Sequence, residues 1–121
     1  MYAIKADLGT AIIEVRVDGF LQPEDITAFQ ADMMREVRAM RLQGKRQSIL
    51  YDYTQAAIQS QEVVAALKTL AADDAFGSRR VALYSGGQLA RMQASRIAGG
   101  DARFRIFDAR ADAVAWLTAR E

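Results

Sequence analysis

The segment "RRVALYSGGQLARMQASRIAGG", Arg79–Gly100, contains the clearest alternation of elements in the chain. A short apolar run ends at Ser85–Gly87, and an amphipathic stretch follows as far as the pair Gly99–Gly100. Buried parallel strands have continuous apolar sequences, and glycine commonly follows the last residue of a helix. The segment therefore predicts a strand, a tight turn and a helix, which together form the repeating unit of an α/β sheet.

The same pattern continues on both sides of this segment. Upstream, "YAIKAD" and "AIIEVRVDG" predict a hairpin with Gly9 at positive φ, and Pro23 begins a long amphipathic helix that Gly44 ends. Next, "QSILYDY" predicts a third strand, "TQAAIQ" a loop, and "SQEVVAALKTLAADD" a helix capped by Ser60. Downstream, "ARFRIFD" and "ARADAVAWLTARE" predict the last strand and the last helix.

The predicted order is β-β-α-β-α-β-α-β-α, within a single domain spanning residues 1–121. Strands that are joined by helices run parallel, so we predict a mixed five-stranded sheet with helices packed on it and an antiparallel hairpin strand at one edge. Apolar and charged residues alternate along the second strand. One part of the sheet is therefore expected to face solvent or to be covered by a partner.

The composition excludes several kinds of chemistry. The 121 residues include no histidine and no cysteine, which removes the commonest metal ligands, the commonest general base and any thiolate nucleophile. We therefore predict no metal site and no cofactor. No signal peptide and no apolar run long enough to span a bilayer is visible, so a cytoplasmic location is expected.

The charge distribution is uneven although the formal net charge is only +1. Residues 79–121 carry 8 arginines and 4 acidic residues. These arginines alternate with apolar residues, as they do on the solvated faces of a strand and two helices, and no aromatic residues are interleaved to stack on bases. The pattern therefore predicts ordinary solvated surfaces, and no nucleic-acid partner.

The letters "SGGQ", Ser85–Gln88, also occur in the "LSGGQ" signature of ABC transporter ATPases. Such an ATPase requires a phosphate-binding loop of the form G-x-x-x-x-G-K-[ST]. The one Gly-Lys pair, Gly44-Lys45, is followed by Arg46, and Ala39 stands where the first glycine belongs. Because the supporting motif is missing, an ATPase is not predicted.

The position of these residues still has chemical meaning. Backbone N–H groups at the start of a helix are unpaired and create a positive potential that favours anions. A candidate anion or ligand loop is therefore formed by Ser85, Gly86 and Gly87, with Asp52 after the neighbouring strand. The alternative is that these residues only cap the helix and turn the chain.

Four pieces of the chain together resemble the SpoIIAA-like family, which is related to the STAS domains. They are "RVALY", "LAR", "IFD" and "AVAWL", at Arg80–Tyr84, Leu89–Arg91, Ile106–Asp108 and Ala113–Leu117. The resemblance covers nearly the whole chain and implies a five-stranded sheet with helices packed on it. It also implies a regulatory or protein-interaction module without enzymatic activity, whose partner is another protein or a second copy of the chain.

The same resemblance points to a switch residue. In the anti-sigma-factor antagonists a serine at the start of the second helix is phosphorylated, within a pattern of roughly D-x-S followed by D-S-S-G. Here Asp52 and Thr54 match the first part, and Ser60 lies within one residue of the phosphoserine. Gln59 replaces the acidic residue and no glycine follows, so a simple N-cap role for Ser60 stays open.

Two further functions remain as alternatives. Some relatives of this fold resemble the lipid-binding Sec14-type proteins, which would make the chain a carrier of a small apolar or lipid-like ligand. Its adaptable pocket would be lined by Phe29, Met33, Met34, Met40 and Met92, although helical periodicity also places these residues in a core. An enzyme would have to use the consecutive residues 51–53, Tyr-Asp-Tyr, but the sequence pairs no base with a nucleophile.

Overall fold

The computed structural model describes residues 1–72 and 76–120. In this part of the chain, strands and helices alternate after an opening hairpin, in the order that the sequence predicts. The elements are β1 (Tyr2–Asp7), β2 (Ile12–Gly19), α1 (Pro23–Leu42), β3 (Ser48–Ala56), α2 (Gln61–Ala72), β4 (Val81–Tyr84), α3 (Gln88–Ala98), β5 (Phe104–Phe107) and α4 (Arg110–Thr118).

The five strands form one mixed sheet in the order β1-β2-β3-β4-β5. Strand β1 pairs antiparallel with β2, and each following pair is parallel, which confirms the predicted fold class. The register places one row of residues side by side across the whole sheet: Ala3, Arg16, Asp52, Tyr84 and Phe107. Because side chains alternate along a strand, this row lies on a single face of the sheet.

Helices cover the two faces unequally. The first three helices pack on one face, where they form the main core with Ile13, Val15 and Ile49. On the opposite face, α4 buries Leu50 and Ala82 and packs chiefly on β3, β4 and β5, and it reaches β2 at Ile12 and Glu14. Most of the face formed by β1 and β2 therefore stays open, as the alternating sequence of β2 predicts. We call it the open face.

Helix α1 has the termini that its sequence indicates. Pro23 lies at the first helical position, and the N–H of Gln22 donates to Asp25 Oδ2 at 2.7 Å, as in a capping box. Five apolar side chains of α1 are buried against the sheet, and they follow the spacing of one helical face: Ile26, Phe29, Met33, Val37 and Met40.

Strand β3 is longer than predicted. The segment "TQAAIQ" was expected to be a loop, but β3 continues to Ala56 because Asp18 and Gly19 of β2 pair with Gln55 and Ala56. Residues with little preference for strands, such as Ala56, are thus held in the sheet by a neighbouring strand. The predicted last residues of α2, Asp73 and Asp74, lie outside the described residues.

The turn between β1 and β2 also differs from the expectation. The left-handed backbone conformation predicted for Gly9 occurs at Ala11, with φ of 57°. The side chain of Asp7 explains part of this turn, because its Oδ1 accepts the N–H of Gly9 at 2.9 Å. An Asp side chain that accepts an N–H two residues later forms a turn without requiring glycine.

Candidate functional site

The loops that follow the four parallel strands all begin at one edge of the sheet, which we call the carboxyl edge. In open α/β sheets this edge commonly binds ligands and partners. The predicted switch residue Ser60 lies here, in the loop between β3 and α2, and Ser85–Gly87 lie in the next loop. The structure therefore places both predicted loops on the same side of the molecule.

Ser60 is exposed and acts as an N-cap. Its Oγ accepts the N–H of Val63 at 3.2 Å, and its carbonyl oxygen accepts the N–H of Val64 at 2.9 Å. This is the geometry by which a serine side chain satisfies an unpaired donor in the first turn of a helix. An exposed hydroxyl at a helix N-terminus is also accessible to a modifying enzyme, so phosphorylation of Ser60 stays a prediction.

Gln59 joins three segments at the carboxyl edge. Its buried side chain accepts the N–H of Leu21 at 2.8 Å and donates to the carbonyl oxygens of Gly19 and Ala57 at 3.0 and 2.7 Å. An aspartate at this position could accept a hydrogen bond but could not donate the other two. The glutamine that departs from the family pattern therefore has a structural role here.

The second predicted loop is only partly accessible. Ser85 is 2% exposed, and its Oγ accepts the N–H of Gly87 at 3.3 Å. Gly86 and Gly87 are exposed, and Gly87 occupies the N-cap position of α3 without a side-chain cap. Neither glycine has positive φ. A role for this loop in binding an anion stays a prediction that rests on the N–H groups of the first turn of α3.

Asp52 and Thr54 shape a bulge in β3. Between Arg16 and Asp18 the partner positions on β3 advance by three residues, from Asp52 to Gln55. Asp52 Oδ1 accepts the N–H of Thr54 at 3.0 Å and its hydroxyl at 2.6 Å. These two bonds fix the extra residue of the bulge, which increases the local twist of the strand. Burial raises the pKa of Asp52, but the hydrogen bonds from Thr54 and Tyr84 and the charge of Arg16 together outweigh it, so the pKa is lowered overall.

A polar cluster that the sequence did not predict lies beside Asp52, where α4 borders the open face. Arg110 at the start of α4 donates to both carboxylate oxygens of Glu14, at 3.2 and 2.7 Å. The hydroxyl of Tyr84 donates to the same carboxylate at 3.5 Å. Burial and the neighbouring charges of Asp52 and Glu14 raise the pKa of Tyr84 to about 12. The cluster is thus internally paired, and it fastens α4 to β2.

The candidate catalytic residues are separated by the sheet. Tyr51 and Tyr53 pack in the main core, whereas Asp52 belongs to the row on the opposite face. Burial raises the pKa of both phenols, to about 12 for Tyr53. A protonated phenol on one face and a carboxylate on the other cannot share a substrate. In residues 1–72 and 76–120, no cluster of acidic side chains could hold a metal ion.

Most of the arginines of residues 79–121 have structural partners. Arg79 donates to the carbonyl oxygens of Leu117 and Ala119 at 2.8 Å each, and Arg80 donates to that of Trp116. Cations at the C-terminus of a helix satisfy its free carbonyl groups and its dipole. Arg91, Arg103 and Arg110 pair with Asp108, Asp101 and Glu14. The arginines of this C-terminal segment thus largely serve to hold α4 and the loops.

The five candidate pocket residues do not surround one pocket, and most of them lie in the core that their helical periodicity also predicts. Phe29, Met33 and Met40 fill the core beneath α1, Met34 is half-buried beside them, and Met92 is exposed on α3. A cavity of about 90 Å³ lies instead between α2, α3 and the sheet, and none of these five residues lines it. No helix of the described residues has both the length and the hydrophobicity needed to cross a bilayer.

Four exposed apolar side chains at the carboxyl edge were also missed by the sequence analysis. They are Phe20 after β2, Ile58 after β3, and Leu89 and Met92 in the first two turns of α3. We call them the edge patch. The sequence contains a signal for two of them, because Phe20 and Ile58 are apolar residues in loops after strands and belong to no helical or strand pattern.

Comparison with known proteins agrees with this fold. A family model described as SpoIIAA-like matches residues 12–118. An uncharacterised DUF3478-family protein from Shewanella loihica PV-4, with a SpoIIAA-like fold, is 24% identical over 96% of this chain and 93% of its own, with a TM-score of 0.65. The anti-sigma factor antagonist SpoIIAA, in its unphosphorylated form, is 11% identical over 97% and 96%, with a TM-score of 0.67. These two likenesses concern the fold alone. No curated protein matches the sequence significantly.

Proposed function

Because this chain belongs to the SpoIIAA-like family, we propose that it is a single-domain, cytoplasmic regulatory module. It acts by binding a protein partner or a second copy of itself, and it carries out no reaction. The fold that it shares with an anti-sigma factor antagonist supports this proposal. The separation of Tyr51 and Tyr53 from Asp52 also supports it, because these residues were the best candidates for catalysis.

The observation that carries the proposal is the distribution of exposed apolar side chains. Among the described residues, seven large apolar side chains are exposed. The four of the edge patch and Met1 lie at the carboxyl edge, with Phe20 65% and Leu89 64% exposed, whereas Leu8 and Leu42 lie at the opposite edge. Scattered apolar residues need no explanation, but a group that surrounds one edge is typical of an interaction surface.

The edge patch is held in place before any partner arrives. The side chain of Gln59 joins the loop after β2 to the loop after β3, and Gln93 of α3 bonds to the main chain of Gln59. The loops that carry Phe20 and Ile58 are therefore fixed relative to α3. Preorganised surfaces lose less conformational entropy on binding, which raises affinity for a given area.

Ser60 lies at this surface, and its phosphorylation would control partner binding. The loop that carries Ile58 leads into α2 at Ser60. Phosphorylation would add a charge of roughly −2 next to apolar groups that a partner must desolvate. The N-terminus of α2 tolerates an anion, so the fold persists while the surface changes from apolar to charged. Thr54 lies within β3, and its hydroxyl already donates a hydrogen bond to Asp52, so it is the weaker candidate for modification.

The experiment is a comparison of tagged variants as baits in an extract of the source organism. Ser60→Asp changes the charge but keeps a good N-cap, since aspartate and serine cap helices equally well. Phe20→Ser removes an apolar anchor from the edge patch, and Leu42→Ser removes an even more exposed apolar side chain from the opposite edge. We expect wild type, Ser60→Ala and Leu42→Ser to recover the same protein, and the other two variants to recover at least tenfold less. Equal recovery by Phe20→Ser and Leu42→Ser would overturn the proposal.

A further inference from the structure

The cavity between α2 and α3 lies away from the edge patch, toward the opposite edge of the sheet. Its described walls include the C-terminal halves of both helices, with Leu70 and Ile97, and the first residues of β4 and β5, Val81 and Phe104. Parallel strands begin at the edge opposite to the one where their functional loops begin. The cavity is therefore a separate feature from the proposed interaction surface.

Small side chains create this space. Ala71 of α2 and Ala94 and Ala98 of α3 line the cavity where two neighbouring helices would otherwise interdigitate larger groups. Protein interiors are close-packed, and voids larger than a water molecule are few in each domain. A void of about 90 Å³ at the junction of two helices and a sheet is thus a feature that packing alone does not explain.

The walls are apolar except for a few hydroxyl groups. Tyr51 and Tyr53 line the cavity, and Tyr53 is only 8% exposed. Neither phenol has a hydrogen-bond partner among residues 1–72 and 76–120. Burial alone raises the pKa of Tyr53, whereas burial and the nearby phenol of Tyr53 together raise the pKa of Tyr51. Both hydroxyls belong to residues that line the cavity, so they are free donors for a ligand that carries a hydrogen-bond acceptor.

The charged groups of the cavity are engaged with each other. Asp101 is exposed and Arg103 half-buried, so they mark the mouth. Arg103 Nη2 donates to Asp101 Oδ2 at 2.9 Å, and Arg103 Nη1 donates to the carbonyl oxygen of Ser78 at 3.4 Å. A charged ligand would have to displace these bonds and lose its own hydration in an apolar space. The cavity therefore favours a neutral molecule.

The volume limits the size of that molecule. A cavity of about 150 Å³ lined by apolar side chains holds one benzene ring. A cavity of about 90 Å³ is smaller than this, but it opens at Asp101 and Arg103, so a five-membered ring can enter with one edge at the mouth, whereas a long acyl chain does not fit. A lipid-like ligand, as the sequence analysis considered, does not match this space.

We propose that this cavity binds a small, neutral, ring-shaped molecule with one hydrogen-bond acceptor, which receives a hydrogen bond from the hydroxyl of Tyr51 or Tyr53. The apolar ring lies against Leu67, Leu83 and Ala94, and the acceptor points toward the phenols. The proposal does not depend on the identity of any protein partner. It assigns a ligand site to the face of the sheet opposite to the Glu14 and Arg110 cluster.

Two probes of nearly equal shape test the proposal: cyclopentanone, which has a carbonyl acceptor, and cyclopentane, which has none. Each is titrated into the ¹⁵N-labelled chain, and amide shifts are followed by NMR. We expect both to shift amides of the lining residues, with cyclopentanone binding about five- to tenfold more tightly, because one net hydrogen bond is worth a factor of this size. The dissociation constant of such a fragment should be on the order of 1 mM.

Variants identify the site and the hydroxyls. The double variant Tyr51→Phe/Tyr53→Phe keeps the ring shapes and should bind the two probes equally, whereas Tyr2→Phe, outside the cavity, should keep the preference. Ala98→Phe should abolish binding of both probes by filling the mouth, and Ala28→Phe on exposed α1 serves as its control. Equal affinity of wild type for both probes, unchanged preference in the double variant, or shifts located away from the lining residues would overturn the proposal.

Discussion

The side chain of Gln93 makes two hydrogen bonds to the main chain of Gln59, one to its N–H and one to its carbonyl oxygen. Gln93 Oε1 accepts the N–H of Gln59 at 2.9 Å, and Gln93 Nε2 donates to the carbonyl oxygen of Gln59 at 2.9 Å. The side chain of Gln59 then reaches in the opposite direction, to Leu21, Gly19 and Ala57. Two glutamines thus connect α3, the loop before α2 and the loop after β2, and they set the shape of the proposed interaction surface.

The first prediction concerns this connection. Gln59→Leu has a similar volume but leaves the N–H of Leu21 and the carbonyl oxygens of Gly19 and Ala57 without their partner. We expect the free energy of unfolding to fall by about 2–4 kcal/mol, since each unsatisfied buried group costs roughly 1–3 kcal/mol. Urea denaturation measures the change. Gln55→Leu, at an exposed position, should stay within about 0.5 kcal/mol of wild type, and an equal loss in both variants would contradict this role of Gln59.

A second prediction compares two tyrosines. The hydroxyl of Tyr2 donates to Asp32 Oδ2 at 2.6 Å, whereas that of Tyr53 has no partner among the described residues. Tyr2→Phe should lower the free energy of unfolding by about 1 kcal/mol because it removes this hydrogen bond, and Tyr53→Phe should stay within about 0.5 kcal/mol of wild type because no hydrogen bond within the fold is lost. Thermal and urea unfolding of both variants test this. A larger loss for Tyr53→Phe than for Tyr2→Phe would show that the phenol is bonded.

The third prediction concerns alkaline pH. All four tyrosines of the chain have raised pKa values, chiefly through burial, with Tyr2, Tyr53 and Tyr84 at about 12 and Tyr51 also raised. The unfolded chain ionises near pH 10, so the stability that neutral phenols provide is complete below about pH 10 and is lost as the pH rises toward 12. Absorbance at 295 nm should show almost no tyrosinate at pH 10 in the native protein. The chain in guanidinium chloride, the control, should be about half ionised at that pH, and the same result in the native protein would refute the prediction.

The fourth prediction concerns the bulge in β3. Thr54→Val removes the 2.6 Å hydrogen bond to Asp52 Oδ1 and should raise the pKa of Asp52, while Thr54→Ser keeps the hydroxyl and should leave the pKa unchanged. A lowered carboxyl pKa stabilises the fold above the unfolded value and loses this contribution as the pH falls through the folded value. The part of the free energy of unfolding that Asp52 contributes, and that is lost at acid pH, should therefore be smaller in Thr54→Val. NMR titration of the Asp52 carboxyl carbon measures the shift, and identical titrations in the two variants would contradict it.

Much of the fold could be predicted from the sequence because local patterns and long-range packing agree. Three local patterns each predict which side chains the structure buries: the apolar stripe along α1, the continuous apolar run of β4, and the alternation of apolar and charged residues in β2. The end of β3 could not be predicted, since Gln55 and Ala56 become a strand only through pairing with β2. Such pairing is a tertiary effect that overrides local propensity.

The sites were harder to predict than the fold. The sequence indicated the N-cap at Ser60, which depends on the next few residues alone. The core position of Met33 agrees with its periodicity, but the cavity could not be predicted, because large flexible side chains fill space while small ones such as Ala94 and Ala98 leave it empty. Which alanines face each other across two helices depends on the packing of α2 on α3, and a single sequence does not encode that in any periodic pattern.

The central claim is that the carboxyl edge binds another protein, and photo-crosslinking in living cells of the source organism tests it most directly. A photoreactive phenylalanine analogue is placed at Phe20, and in a separate variant at Leu42, an exposed position on the opposite edge. We predict one adduct of defined mass from position 20, lost when Ser60→Asp is added, and none from position 42. An adduct with twice the mass of the chain would identify a second copy as the partner. Equal crosslinking from both positions, or none from position 20, would contradict the claim.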